Sequence, residues 1–241
     1  MSSVPSAEFA PAYPIVLFDL DNTLSDFASA QAVALPGLLA DHGVSDGHEL
    51  IADFKRLATP LWDQLEAGEL TLETLNDERF RLLVEHTGLD LDPALLAPQY
   101  LDWLGGSGQL WPGAIELLDE LHGKVDMGLI TNGYAEVQRP RLEKFGLERY
   151  LSSVTVSSEI GHAKPSTAFF DVALAAHGNP EPATVLVVGD SLTSDIAGGV
   201  AAGCATCWFN PAGEPVPDAP RIDHVATTLA DVASLVLSPE P

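Results

Sequence analysis

The sequence predicts an α/β protein, a doubly wound parallel sheet with an all-helical domain inserted into it. Two observations carry this. Short apolar, β-rich runs alternate with helical segments from residue 114 onward, and such alternation calls for parallel strands joined by crossover helices. Between the first such run and the second lie roughly eighty residues of helical pattern, too many for a loop.

The first strand is expected in "IVLFD", residues 15–19. Others are expected at 125–131, 153–157, 184–190 and 204–209, with a weak last one near Asp223–Ala226. Their apolar residues run on without polar alternation, as in strands covered on both faces. Helices fill the gaps. "AIELLDELHG" stops at Gly123, "EVQRPRLEKFG" at Gly146, "STAFFDVALAAHG" at Gly178 and "TSDIAGGVAAG" at Gly203, and a last helix covers Leu229–Leu237. Glycine closes a helix by taking the left-handed conformation. Pro140 should delay or kink the second of these helices. The inserted segment reads as four helices, and "GGSG" at 105–108 as the hinge back. The expected division is a flexible leader at 1–13, a core domain at 14–24 and 109–241, and a helical domain at 25–108.

Composition bounds the function. Hydrophobic residues make up 46% of 241, enough to bury a core. The formal net charge of −24 opposes nucleic acid polymers and anionic membranes as partners. No apolar run is long enough to span a membrane. The start, "MSSVPSAEFAPAYP", lacks a basic segment and a long apolar core, so a signal peptide is not expected and a cytoplasmic location is. Cys204 and Cys207 have redox-pair spacing, but they open a strand, where residues three apart point to opposite faces. Buried, inert thiols are expected there. The seven histidines are scattered, which argues against zinc.

Against that background "DLDNT" stands out, because Asp19 and Asp21 end an apolar strand. Ligands of open parallel sheets bind at the carboxyl ends of the strands. Thr131 and Asn132 end the second strand, Lys164 follows the third, and Asp190 ends the fourth with Asp195 a turn further on. Each alone is an ordinary cap or turn residue; four strands delivering them to one edge is a different matter. Converging carboxylates need a cation. All-oxygen ligands point to a hard ion, Mg²⁺ first. A metal beside a lysine, one of only four in the chain, suits a phosphoryl group.

The set "DLDNT", "TNG", "KP" and "GDSLTSD" resembles the four motifs of the haloacid dehalogenase-like phosphohydrolase superfamily, in order along nearly the whole chain. The resemblance implies a Rossmann-like core under a helical cap. It implies Asp19 as nucleophile, forming an aspartyl-phosphate, and Asp21 as general acid and base. Thr131, Asn132 and Lys164 would bind the phosphoryl group. Mg²⁺ would lie among Asp19, the Asp21 main-chain carbonyl, Asp190 and Asp195. The dehalogenase branch lacks the second aspartate, and the ion-pump branch has lysine where Leu20 stands here. The residue chemistry agrees with these roles. An aspartate, with an ordinary pKa near ~3.9, is ionised at neutral pH and attacks without a base. Side chains two apart on an extended segment share a face, which puts Asp21 beside the leaving group.

A finer resemblance, in "PLWDQLEAGELT", "ITNGYAEVQRPRLEKFGLERYL" and "AGCATCWFN", is to bacterial pyrimidine 5′-nucleotidases. It implies a small phosphorylated metabolite as partner, a pyrimidine nucleoside monophosphate. Trp62 could stack on the base or belong to a helix core, and Arg79 could face the site or solvent. Two alternatives stay open: a sugar-phosphate or phosphoglycolate phosphatase or phosphomutase of the same superfamily, and an inactive binding or regulatory relative.

Overall fold

The computed structural model describes residues 11–238. The chain enters at β1 (Ile15–Phe18), passes through β2 (Ser25–Asp26), and then forms α1 (Phe27–Asp41), α2 (Ile51–Glu66), α3 (Leu72–Thr87) and α4 (Pro93–Gly106). It returns through β3 (Gln109–Leu110) to α5 (Ala114–Leu121), β4 (Asp126–Thr131), α6 (Ala135–Phe145), β5 (Ser153–Val156), α7 (Ser157–Ile160) and α8 (Thr167–Ala176). It ends with β6 (Val185–Gly189), a π-turn at Leu192–Ile196 running into α9 (Ala197–Ala201), β7 (Ala205–Phe209), β8 (His224–Ala226) and α10 (Leu229–Leu237).

Six strands form one sheet in the order β5-β4-β1-β6-β7-β8, all parallel, as the alternation predicts. Residues of β1 alternate between two apolar layers. Val16 and Phe18 pack with Leu129, Val188, α5 and α10. Leu17 packs with Ile130, Val187 and Phe169 and Phe170 of α8. The sheet is therefore wound on both faces. Cys207 lies in the first layer and Cys204 in the second, both fully buried. Burial pushes their thiols up, to about 12 and about 11, so both stay protonated and unreactive.

The long helical insert is present as α1 to α4. It has an apolar cluster of its own around Phe54, Phe80 and Tyr100, whose ring centroids lie 5.1–5.3 Å apart. Its two connections are tied together by β2 and β3, which pair antiparallel through Ser25 with Leu110 and Asp26 with Gln109. A ladder of two residues has no periodicity to read, so the sequence gives no sign of it. Lys144 on α6 clamps the exit by donating to the carbonyls of Gly106 and Gly108, at 2.7 and 3.2 Å.

Two details refine the expectations. α6 starts at Ala135 and runs through Pro140. The Glu136 carbonyl, which Pro140 cannot bond, faces Gly105 of α4; a Cβ there would lie 3.3 Å from it. Residues 1–10 of the leader lie outside the described residues. Ala12 and Tyr13 are held, by a 3.0 Å bond from Ala12 N–H to the Val236 carbonyl and by Tyr13 Oη 2.7 Å from His224 Nε2. No helix among the described residues is long and apolar enough to cross a membrane.

Candidate active site

The sheet carries four functional groups to one edge. Asp19 continues the β1 ladder by donating its N–H to the Val188 carbonyl at 2.9 Å. It therefore stands between the ends of β4, marked by Thr131, and β6, followed by Asp190. Lys164, 2% exposed, reaches in from the segment before α8. Its Nζ donates to Asp19 Oδ1 at 2.7 Å, Asp195 Oδ1 at 2.6 Å and the Ile130 carbonyl at 3.2 Å. Asn132 does not point freely into the site. Its amide exchanges two 2.8 Å bonds with the main chain of Lys164, and so fixes where that lysine starts. Asp195 comes from the π-turn and is held by the Ser191 N–H at 3.1 Å. Gly189 makes room for it, since a Cβ there would lie 2.2 Å from Asp195 Oδ2.

The electrostatics are strained without a further cation. Carboxylate oxygens of Asp19, Asp190 and Asp195 lie within 4.8 Å of one another. At that range two charges repel by roughly 3–4 kcal/mol at an effective dielectric of 20. Burial, then the charge of Asp195, pushes Asp190 up to about 7. Burial also raises Asp19 well above the ordinary aspartate value, with Lys164 opposing and Asp195, Asp190 and Asp21 adding to the rise. Lys164 is itself held charged, because Asp19 and Asp195 outweigh its own burial. One lysine cannot neutralise three carboxylates. Asp19 Oδ2 is buried with no hydrogen-bond partner. An orphaned carboxylate oxygen inside an all-oxygen acidic cluster fits a hard divalent cation.

Asp21 sits across from this cluster in a turn made possible by Asn22, whose φ is +64°. The turn brings Ser25 back, so that its N–H donates to the Leu20 carbonyl at 2.8 Å. Arg141 Nη1 donates to Asp21 Oδ1 at 2.5 Å, Ser25 Oγ to the same oxygen at 3.2 Å, and Gln138 Nε2 to Oδ2 at 2.8 Å. Gln138 and Arg141 are functional candidates that the sequence reading missed. Their signal was faint: an i, i+3 pair on the helix after "TNG", which places them on one face.

Above the edge, α2 roofs a chamber of about 370 Å³. Lys55, Thr59 and Trp62 line it, at i, i+4 and i+7 of one helix face. Trp62 is thus at the site. Arg79 is buried, not solvated, and lines a 30 Å³ slot that adjoins the chamber at Asp21, Phe27, Trp62 and Asn132. The helical segment also touches the core directly, through Tyr134 Oη donating to the Leu72 carbonyl.

A family model for haloacid dehalogenase-like hydrolases matches residues 13–203. The chain belongs to this family. Within these hydrolases it is 37% identical to the pyrimidine 5′-nucleotidase YjjG of Escherichia coli strain K12, over 81% of this chain and 85% of that one. It is 36% identical to the pyrimidine 5′-nucleotidase PynA of Streptococcus pneumoniae, over 83% and 84%. Among solved structures, the HAD-hydrolase YfnB of Bacillus subtilis, bound to magnesium, superposes with a TM-score of 0.87 at 32% identity, covering 93% of this chain and 98% of that one. The chain is a phosphoric monoester hydrolase of the haloacid dehalogenase-like type.

Proposed function

We propose that the chain hydrolyses pyrimidine nucleoside 5′-monophosphates through an aspartyl-phosphate on Asp19, with Mg²⁺ in the acidic cluster and residues 25–108 as the cap. The observation that carries the chemistry is the buried array of Lys164 between Asp19 and Asp195, with Asp190 alongside. The names of YjjG and PynA support the nucleotide, as does the side-by-side placing of Trp62 and the chamber.

Asp19, Asp190 and the Asp21 main-chain carbonyl would hold the cation, with Asp195 supporting directly, through water or through Lys164. Bound Mg²⁺ supplies charge neutralisation, which lets an anionic carboxylate approach an anionic phosphate. Lys164 and Thr131 grip phosphoryl oxygens, and Asn132 keeps Lys164 in place. An Asp19 oxygen forms a bond to phosphorus as the bond to the nucleoside oxygen breaks, and Asp21 gives that oxygen its proton. Asp21 then takes a proton from water, whose oxygen bonds phosphorus as the Asp19 ester breaks. Inorganic phosphate leaves and both aspartates are restored. The roof on α2 excludes bulk water during both steps.

The test is kcat/KM for phosphate release across uridine, thymidine, cytidine and purine monophosphates, ribose 5-phosphate, phosphoglycolate and hexose phosphates, at fixed Mg²⁺ and salt. The pyrimidine nucleotides should lead. A clear preference for phosphoglycolate or a hexose phosphate overturns the nucleotide reading and leaves the phosphoenzyme chemistry standing. Absence of turnover on every one of them overturns the nucleotide reading and puts the substrate outside this panel.

A further inference from the structure

We infer that Arg79 is a subsite for an oxygen acceptor on the leaving group, taking a ring carbonyl of the pyrimidine under the nucleotide reading on which this rests.

Arg79 is 3% exposed and enclosed by aromatic rings, its Cζ 5.7, 5.6 and 4.6 Å from the centroids of Phe54, Phe80 and Tyr100. A guanidinium carries five N–H donors. Here one bond is made, from Nη2 to Asn76 Oδ1, and Nε is buried with no partner. Among the described residues no carboxylate pairs with it, and burial pushes its pKa below the ordinary arginine value. Burying an arginine without a counter-charge is costly, and aromatic faces offset only part of that cost.

Among the described residues none of the slot's polar lining, Asp21, Asn132, Tyr134 or Gln138, accepts a hydrogen bond from Arg79. Leu101, Leu104 and Val137 are apolar. Asp21 is held on both oxygens by Arg141, Ser25 and Gln138, and Gln138 Oε1 already accepts from Arg141 at 2.9 Å. The donors of Arg79 are thus left for a ligand. A volume of 30 Å³ holds about two water molecules, which suits one exocyclic group and not a ring. The ring itself belongs in the 370 Å³ chamber beside Trp62, with one carbonyl directed into the slot. A carboxylate would satisfy the same donors, so the test includes one.

The experiment measures kcat/KM for uridine and thymidine monophosphates, ribose 5-phosphate and phosphoglycolate with wild type, Arg79→Met and Arg79→Lys, each checked by thermal melting. Ribose 5-phosphate keeps the sugar and lacks the carbonyl. Arg79→Met should lower nucleotide kcat/KM by about 10- to 100-fold more than ribose 5-phosphate kcat/KM, the scale of one charged hydrogen bond. Arg79→Lys should fall between, because it keeps the charge and loses the fork. Equal losses on every substrate, or an undiminished preference in a folded variant, overturn the subsite. A wild type that prefers phosphoglycolate, and loses that preference in Arg79→Met, overturns the nucleotide reading and supports the subsite. Should Arg79→Met not fold, the same ratio in Arg79→Lys decides.

Discussion

Arg141 Nη1 lies 2.5 Å from Asp21 Oδ1, although 120 residues separate them in the chain. Arg141 is fully buried, and its Nη2 donates to Ser25 Oγ at 2.8 Å. One turn earlier on α6, Gln138 Nε2 contacts both Asp21 Oδ2 and Thr131 Oγ1 at 2.8 Å. The amide's orientation follows from its surroundings, with acceptors on the nitrogen side and an arginine on the oxygen side. One helix therefore links the proposed proton carrier to the threonine proposed to grip phosphate.

Gln138→Leu should slow nucleotide hydrolysis by about 10- to 100-fold, less than the roughly 10²- to 10⁴-fold of general acid catalysis as a whole, because Asp21 itself remains. An aryl phosphate, whose leaving group needs no proton, should suffer less. In an Asp21→Asn background the substitution should add little, since both act through one carboxylate. Full additivity in that double-mutant cycle would show that Gln138 works elsewhere.

Asp19→Asn keeps the size of the side chain and removes the attacking oxygen. Activity should fall by about 10⁴-fold or more, with the fold retained. Acid quenching during turnover should trap phosphate on the wild-type protein and none on the variant. Turnover by Asp19→Asn at a substantial fraction of the wild-type rate would refute the covalent role.

Metal dependence should carry a pH signature. Asp190 is raised from 3.8 to about 7, mainly by burial. Between those values the folded protein holds a proton that the unfolded chain releases. Metal-free stability from this group is therefore present at low pH and is lost as pH rises through about 7. A cation replaces that proton. The rise in melting temperature caused by saturating Mg²⁺ should thus grow between pH 5 and 8, roughly in step with this titration. Chelation should abolish turnover and Mg²⁺ restore it, while Ca²⁺ should stabilise and support little turnover. A Mg²⁺ shift that shrinks with rising pH would contradict the assigned site.

Gly189→Ala tests the packing behind the cluster. The new Cβ would sit 2.2 Å from Asp195 Oδ2, which must move. We expect a loss of about 1–3 kcal/mol in denaturant unfolding and weaker half-saturation by Mg²⁺. An unchanged Mg²⁺ titration would show that Asp195 is not needed where it stands.

The sequence alone determined the parallel sheet, the helical insert and the polar residues at the strand ends. The reason is that these are local patterns joined by a strong rule. An apolar run marks a strand, and right-handed crossovers then send every strand's carboxyl end to the same edge, so Asp19, Thr131, Lys164 and Asp190 meet without any knowledge of packing. What only the tertiary structure decided is which polar helix residues turn inward. Arg79, Gln138 and Arg141 lie on helices whose spacing equally suits a solvated face, and their partners Tyr100, Asp21 and Ser25 belong to other elements. The same holds for the two-residue ladder of β2 and β3, and for Pro140 inside α6. In each case the deciding term is burial against, or bonding to, a segment distant in the chain, which no local period encodes.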